Sequence, residues 1–225
     1  MLLGKKKQSF NLKKINPLIR FMILSDVLIV GALGMFSPFL ILFVKNFIVG
    51  GDEFVVGIAL SIYLASRSLL QIPVATFIDK IKGEKDDYLL LIIFSFVAGF
   101  LNLLLLIINQ VWHLFLFQFL AGLATAITYP SYMAIFTRHI DKNMEGTEWG
   151  VYYTFTDLGG AVLATLGGFI AKSFGLPNLI ILVTILCLIG ATFLIPKKTH
   201  QEEGVISSIK RSKALLPLNS FNLIE

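Results

Sequence analysis

Residues 61–87, SIYLASRSLLQIPVATFIDKIKGEKDD, decide the fold of this chain. The first part of the stretch is apolar enough to cross a bilayer, although Arg67 lies in its middle. The apolar run ends at Asp79 and becomes a short loop that is dense in charge. The charged residues of that loop are Lys80, Lys82, Glu84, Lys85, Asp86 and Asp87. A buried cation followed by a charged loop is not explained by a simple membrane anchor.

The composition predicts an integral membrane protein. Of the 225 residues, 56% are hydrophobic, only 15% are charged and 20 are Phe. A soluble domain of this length cannot bury so much apolar surface, because average globular proteins are clearly more polar. The net charge of +5 does not indicate nucleic acid, because in a membrane protein the positions of basic residues matter more than their sum.

Cysteine and histidine usage excludes several kinds of site. The single cysteine, Cys187, rules out a disulfide framework and a paired-cysteine metal site. The three histidines lie far apart in the sequence. We therefore expect no metal and no cofactor. The basic start precedes an apolar run that is too long for a cleavable signal peptide.

Six apolar segments are each long enough for a transmembrane helix. They cover about residues 18–49, 54–78, 88–108, 111–136, 149–171 and 178–195. The first is long for one crossing, and we expect tilt or a kink at Pro38 to accommodate it. The chain is thus predicted to be an all-α membrane protein with a basic N-terminus (1–17), a six-helix domain (18–196) and a polar tail (197–225).

The distribution of Lys and Arg predicts the orientation of these helices. With six crossings, both termini lie on the same side. Sixteen of the 19 basic residues fall on that side and only Lys45 and Lys172 fall on the other, Arg67 being buried. Because cytoplasmic loops are enriched in Lys and Arg, both termini are predicted to be cytoplasmic. The loops on the outer side are very short, so a function within the bilayer or at its inner face is expected.

Three ionisable residues lie deep in the apolar segments: Asp26, Arg67 and Asp157. Each costs roughly 2.5–3.5 kcal/mol at the bilayer centre. The helical rise of about 1.5 Å per residue places all three between the inner half and the midplane. We expect Arg67 to pair with Asp26 or Asp157 in a polar cavity lined by segments one, two, four and five. A packing role that only orients the helices is the alternative.

Segment five carries two glycine pairs, Gly159-Gly160 and Gly167-Gly168, which are eight residues apart. This spacing returns them to about the same helix face after two turns, where small residues permit close helix contact. Packing within one bundle and an interface between chains are equally compatible with the pattern.

The loop after segment two resembles the signature of the major facilitator superfamily, Gly-x-x-x-Asp-Arg/Lys-x-Gly-Arg/Lys-Arg/Lys. Residues 75–85 read ATFIDKIKGEK. Asp79 and Lys80 match, whereas Ala75 replaces the first glycine, Gly83 comes one position late and Glu84 interrupts the basic pair. The resemblance implies that an inner gating loop contains Asp79, Lys80, Gly83 and Lys85.

Two further segments are similar to the same family. In segment four, Gln118 stands four residues before Gly122, where the family has an Arg associated with proton coupling, and Gln118 is therefore also a candidate residue of the cavity. Segment five resembles the glycine-rich fifth helix of exporters, without its Gly-Pro step. The resemblance covers about residues 18–196, one six-helix half of a usual twelve-helix fold with the substrate between the halves. Three-helix inverted repeats then relate residues 75–83 to residues 167–175.

The leading hypothesis is a multi-pass cell-membrane transporter that moves a small solute by alternating access as a homodimer of six-helix halves. Asp79 of one copy is expected near the start of segment five in the other, with Thr147 as its N-cap. The alternatives are pairing with a different half-transporter, and a non-transporting scaffold or assembly factor. We expect no enzymatic activity. The residues leave open the substrate, the energy coupling, the oligomeric state, and whether the chain is complete or a fragment of a twelve-helix protein.

Overall fold

The structure, a computed structural model, describes residues 15–80 and 84–195. Six of its helical spans are long and apolar enough to cross a membrane, so the prediction of six membrane helices is confirmed. The helices are α1 (Pro17–Phe36), α2 (Leu40–Phe47), α3 (Glu53–Lys80), α4 (Lys85–Leu101), α5 (Val111–His139), α6 (Glu145–Phe174) and α7 (Leu176–Phe193).

The first span is interrupted at Pro38, which is one of the two expected ways to accommodate its length. A 3₁₀ turn, Ser37–Phe39, separates α1 from α2 within the span. Proline has no amide hydrogen to donate and its ring crowds the preceding turn, so regular α-helical bonding stops there. By contrast, α3 and α5 continue through Pro73 and Pro130.

The helix ends of the first half of the chain recur in the second half. Phe47 and His139, Glu53 and Glu145, and Leu101 and Phe193 are each 92 residues apart. We call α1–α4 the first repeat and α5–α7 the second repeat. Because each repeat crosses the bilayer three times, the second enters from the opposite side, which is the geometry of an inverted repeat.

Helix packing follows the same symmetry. Helix α3 of the first repeat packs on α5 of the second, and the helix equivalent to α3 in the second repeat, α6, packs on α1 of the first. The contact of α4 with α5 likewise corresponds to that of α7 with α1, and α4 and α7 contact each other. Neither α1 nor α6 is among the main packing partners of α3. The bundle therefore leaves α3 and α6 as its two least covered helices, with 11% of the apolar window of each buried against 28–39% elsewhere.

The glycine pattern of α6 serves packing within this chain. A methyl group built on Gly159 would lie 2.5 Å from Val27 Cγ1, and one on Gly167 would lie 2.9 Å from the Met35 carbonyl oxygen. Both contacts are with α1. The corresponding methyl on Gly160 meets nothing within 4 Å. One member of each pair thus lets α1 approach, and the intramolecular interpretation holds for Gly159 and Gly167.

The connection from α5 to α6 differs from the prediction. Helix α6 begins at Glu145, so Thr147 lies in its first turn, and the N-cap, Met144, makes no capping bond through its side chain. Glu148 accepts a hydrogen bond from the Asp141 amide at 3.3 Å instead. This carboxylate of the first turn thus satisfies an amide of the preceding loop.

Candidate functional site

Arg67 is held against an aromatic ring of the neighbouring helix. Its guanidinium carbon lies 4.9 Å from the centre of the Tyr129 ring, within the range of a cation–π interaction. One turn earlier on α3, the Tyr63 hydroxyl donates to Thr125 Oγ1 at 3.4 Å. The α3–α5 contact thus carries both a polar and a charged interaction at mid-helix, and Arg67 itself is partly exposed.

Asp26 is bound by tyrosine rather than by arginine. The Tyr152 hydroxyl of α6 donates to Asp26 Oδ2 at 2.9 Å. The Tyr132 hydroxyl of α5 lies close to the same carboxylate. Asp26 is therefore reached from both α5 and α6.

Both tyrosines that reach this carboxylate belong to an aromatic cluster. Its members come from α5 and α6 and have ring centres 4.6–6.1 Å from their neighbours. They are Tyr132, Phe136, Trp149, Tyr152 and Tyr153. Such separations are those of packed aromatic pairs. The cluster fixes Tyr152, and through it the Asp26 carboxylate.

The remaining two candidates of the predicted cavity lie elsewhere. Asp157 is exposed on α6 and its side chain makes no ion pair or hydrogen bond to the rest of the described chain. Gln118 is buried in α5, at 7% exposure. In the described ranges no ion pair joins Arg67 to Asp26 or Asp157. The expected pairing is therefore wrong for this structure, because α3 packs on α5 rather than on α1 or α6.

The predicted gating residues end α3 and begin α4. Asp79 and Lys80 are exposed in the last turn of α3, and Lys85 is the exposed first residue of α4. Gly83 lies outside the described residues. The charged residues of the predicted loop thus lie at the junction between α3 and α4. The structure also shows which residues near this loop form ion pairs.

A buried ion pair lies beside this loop. Asp87, in the first turn of α4, is fully buried and pairs with Arg138 in the last turn of α5. Glu84 lies 3.6 Å from His139 Nε2 in the same region. Anions are favoured at helix N-termini and cations at C-termini, so both helix dipoles support the Asp87–Arg138 pair. It joins α4 to α5 at the end where the predicted gating loop is found.

Sequence reasoning missed Asp87, Tyr152 and Tyr132 as site residues. Asp87 was placed in the loop because the apolar run begins at Tyr88, whereas the helix starts three residues earlier. The sequence contained one indication of the two tyrosines: a tyrosine hydroxyl within an apolar segment needs a polar partner. Across the described ranges, no group of three or more His, Cys, Asp or Glu side chains is arranged to hold a metal ion.

Comparison with known proteins agrees with the fold. The sequence model of the Major Facilitator Superfamily matches residues 22–223. The chain belongs to the major facilitator superfamily. No curated protein sequence matches the chain. The resemblance stated from the residue 75–85 loop, segment four and segment five is thereby confirmed, and the protein is a multi-pass membrane protein of a transporter family.

A solved structure shows the same helical arrangement. The fold is similar to the in meso crystal structure of the POT family transporter PepTSo, with a TM-score of 0.61 and 16% sequence identity. The alignment covers 94% of this chain and 45% of that structure. This superfamily member therefore spans less than half the length of the transporter it matches. At this identity the likeness concerns the fold alone.

Proposed function

We propose that the protein moves a small solute across the cell membrane by alternating access, as a homodimer of six-helix halves with both termini cytoplasmic. The supporting observation is the exposed carboxylate of Asp157 near the middle of α6. A carboxylate in hydrocarbon costs about 2.5–3.5 kcal/mol, so this face must meet a polar cavity or another protein surface. Family membership favours transport over catalysis.

The uncovered faces of α3 and α6 support a second copy as the occupant. Both present small or polar side chains outward, including Ser61 and Ser68 on α3 and Thr154 on α6. Residues of this kind let helix backbones approach closely in membranes. A closed two-fold arrangement is the commonest one for identical chains. We infer that α3 of one copy meets α6 of the other, and that the cavity lies between them.

Disulfide cross-linking tests this arrangement in a Cys187→Ser background, which removes the single native cysteine. Ser61 lies 19 residues from Lys80, and Ala164 lies 19 residues from Glu145. These positions are at the same expected depth, on α3 and α6. The double variant Ser61→Cys/Ala164→Cys should form a covalent dimer, whereas each single variant should remain monomeric on a denaturing gel.

A matched control uses the opposite side of the bundle. Leu89 on α4 and Ile189 on α7 are exposed, at 59% and 44%, and each lies four residues from its helix end. The double variant Leu89→Cys/Ile189→Cys should not cross-link. Native mass spectrometry in detergent should give twice the chain mass. A stable monomer would instead favour the scaffold function, and a co-purified second chain would favour a split transporter.

Flux measurements test transport itself. Proteoliposomes containing the protein should accumulate at least one of a panel of radiolabelled amino acids, sugars and choline. The variant Arg67→Ala should reduce that uptake, because Arg67 lies partly exposed on a helix that we place at the cavity. Uptake that equals that of protein-free liposomes for every solute of the panel would contradict the transport proposal.

A further inference from the structure

Arg67 and Asp157 lie at the same depth on the two least covered helices. Arg67 precedes Lys80, the last residue of α3, by 13 residues, and Asp157 follows Glu145, the first residue of α6, by 12. At the helical rise, their positions differ in depth by only about 2 Å. Neither forms an ion pair in the described ranges. A charge within a membrane is expensive without an opposite charge, and contacts within this chain supply none to either residue.

Both side chains lie on parts of their helices that the bundle leaves open. Leu64 and Leu60 precede Arg67 by three and seven residues and are 55% and 44% exposed. Tyr153 precedes Asp157 by four residues and is 57% exposed, and Asp157 itself is exposed. Residues at these spacings share a helix face. A protein surface that covers these faces of α3 and α6 therefore also reaches Arg67 and Asp157.

The signs of the two charges favour one pairing of helices between two copies. Contact of α3 with α3 would bring Arg67 close to a second Arg67, and contact of α6 with α6 would bring two Asp157 carboxylates together. Contact of α3 with α6 brings opposite charges together at mid-depth. In a two-fold dimer this contact occurs twice, so the four charges form two neutral pairs. Asp26 is not needed for this balance, since Tyr152 already binds it.

The outer ends of the two helices also carry opposite charges. Asp52 and Glu53 lie at the start of α3, and Lys172 lies in the last turn of α6. Glu53 and Lys172 are each 27 residues from the predicted inner end of their helix. All three side chains are exposed, so water and salt weaken their attraction. The inner end of α3 carries both signs, in Asp79 and Lys80, and favours neither pairing. The charges in the middle of the helices are therefore the ones that select the partner.

We propose that Arg67 of one copy forms an ion pair with Asp157 of the other, so that two such pairs join α3 to α6 at mid-membrane in each homodimer. The contact with Tyr129 occupies the face of the guanidinium group. Its edge remains free to donate two parallel hydrogen bonds to a carboxylate. The ion pair rests on the homodimer of the proposed function, and it names the residues that hold the two halves together.

The test is the dimer affinity of two charge reversals, Arg67→Asp and Asp157→Arg, in liposomes. Full chains with donor or acceptor fluorescent proteins fused after Glu225 report dimers by energy transfer as the protein is diluted in lipid. Each variant alone should have a dissociation constant about tenfold or more above that of the parent, because both contacts of its dimer then join like charges. An equimolar mixture of the two variants should recover the parent affinity, since both contacts of the mixed dimer join opposite charges.

Mixing each variant with the parent chain is the matched control. Such a dimer has one contact between like charges and one between opposite charges, so its affinity should lie between those of the variant and the parent. General damage to the fold would not be reversed by mixing two damaged chains, which separates an ion pair between copies from a structural role within one copy.

Neutral variants keep the test valid if a charge reversal does not fold. Circular dichroism of the purified chains checks their helix content. Arg67→Gln and Asp157→Asn should each weaken the dimer, because each leaves the opposite charge without a partner. The double variant Arg67→Gln/Asp157→Asn should dimerise more tightly than either single variant, since no unpaired charge remains, and this cycle measures the coupling between the two side chains.

Two results would overturn the ion pair: parent affinity in both single reversals, or a mixture of the two reversals that dimerises no more tightly than its components. These failures are distinguishable from failure of the proposed function. A parent chain that dimerises and takes up solute, without recovery in the mixture, refutes the ion pair and leaves homodimeric transport standing. Recovery in the mixture without any solute flux keeps the ion pair and contradicts transport.

Discussion

The α3–α5 contact and the α1–α6 contact are equivalent in the two repeats, yet they hold charge in different ways. Each brings two helices together at a glycine: Gly122 faces α3, and Gly159 faces α1. In each contact, one ionisable side chain also interacts with a tyrosine. In α3–α5 the face of the Tyr129 ring holds Arg67, and in α1–α6 the Tyr152 hydroxyl binds Asp26.

The difference shows that a repeated backbone does not carry repeated chemistry. In the α3–α5 contact the charged residue lies on α3, one of the two least covered helices. In the α1–α6 contact it lies on α1, the more covered helix of the pair. The residue 92 positions after Asp26 is Gln118, and the one 92 positions after Arg67 is Gly159. Helix lengths and contacts are shared by the repeats, whereas the polar groups are not. The candidate site exists because of this asymmetry.

The largest expected effect comes from the Asp87–Arg138 ion pair, which joins α4 of the first repeat to α5 of the second. Asp87 corresponds to Leu179, which is buried without charge. Arg138→Ala should lower the free energy of unfolding by about 3 kcal/mol, the lower end for a broken buried pair because the Arg138 side chain is 35% exposed. Denaturation in detergent, followed by circular dichroism, measures this change.

A second variant makes that test specific. Asp87→Leu combined with Arg138→Ala replaces the carboxylate by the residue of the other repeat, and it should recover most of the loss because no unpaired buried charge remains. Equal stability of the single variant and the parent would show that the ion pair does not support the α4–α5 contact.

The next effect concerns the glycine contacts. A methyl group on Gly122 would lie 2.0 Å from Ser66 Oγ and 2.6 Å from the Tyr63 carbonyl oxygen. Gly122→Val should therefore force α3 and α5 apart and cost about 2 kcal/mol, within the range for overpacked cores. The control is Gly34→Val, at an α1 position with open space around it. Thermal unfolding in detergent should separate the two, and equal melting temperatures would refute the close approach.

A smaller effect on stability should distinguish Tyr152 from Tyr129. Tyr152→Phe removes the hydroxyl that binds Asp26 and should cost about 1 kcal/mol, the usual net value of a hydrogen bond. Tyr129→Phe keeps the ring on which Arg67 lies, so it should leave the melting temperature unchanged. If both variants behave alike, the contrast between a hydroxyl contact and a ring contact is incorrect.

The smallest effect is expected at the exposed end of the first repeat. Lys45 and Glu53 form an ion pair between α2 and α3, with side chains 45% and 70% exposed. Water and salt screen such pairs strongly. Lys45→Met should thus leave the melting temperature unchanged at both low and high salt, and a salt-dependent loss would show that this end is more enclosed than its exposure indicates.

The sequence predicted the fold better than the site. Hydropathy identified all six spans, because a bilayer requires long apolar runs whatever their neighbours are. A kink at Pro38 was one of two expectations, beside tilt, that the length of the first span gave. The pairing of Arg67 with a carboxylate was wrong, because similar depth in the membrane does not determine which helices are neighbours. Asp87 was missed since a helix can begin in a charged stretch before its apolar run.

The sequence by itself determined the membrane class, the number of spans, the interruption at Pro38 and the resemblance to the family, since these depend on composition and local order. Only the tertiary structure decided that α6 packs on α1, that Tyr152 binds Asp26 and that Asp157 lies exposed. The physical reason is that a side chain's partner depends on contacts between helices distant in the chain. Glycines such as Gly122 and Gly159 permit those contacts, but a glycine does not specify which helix will approach it.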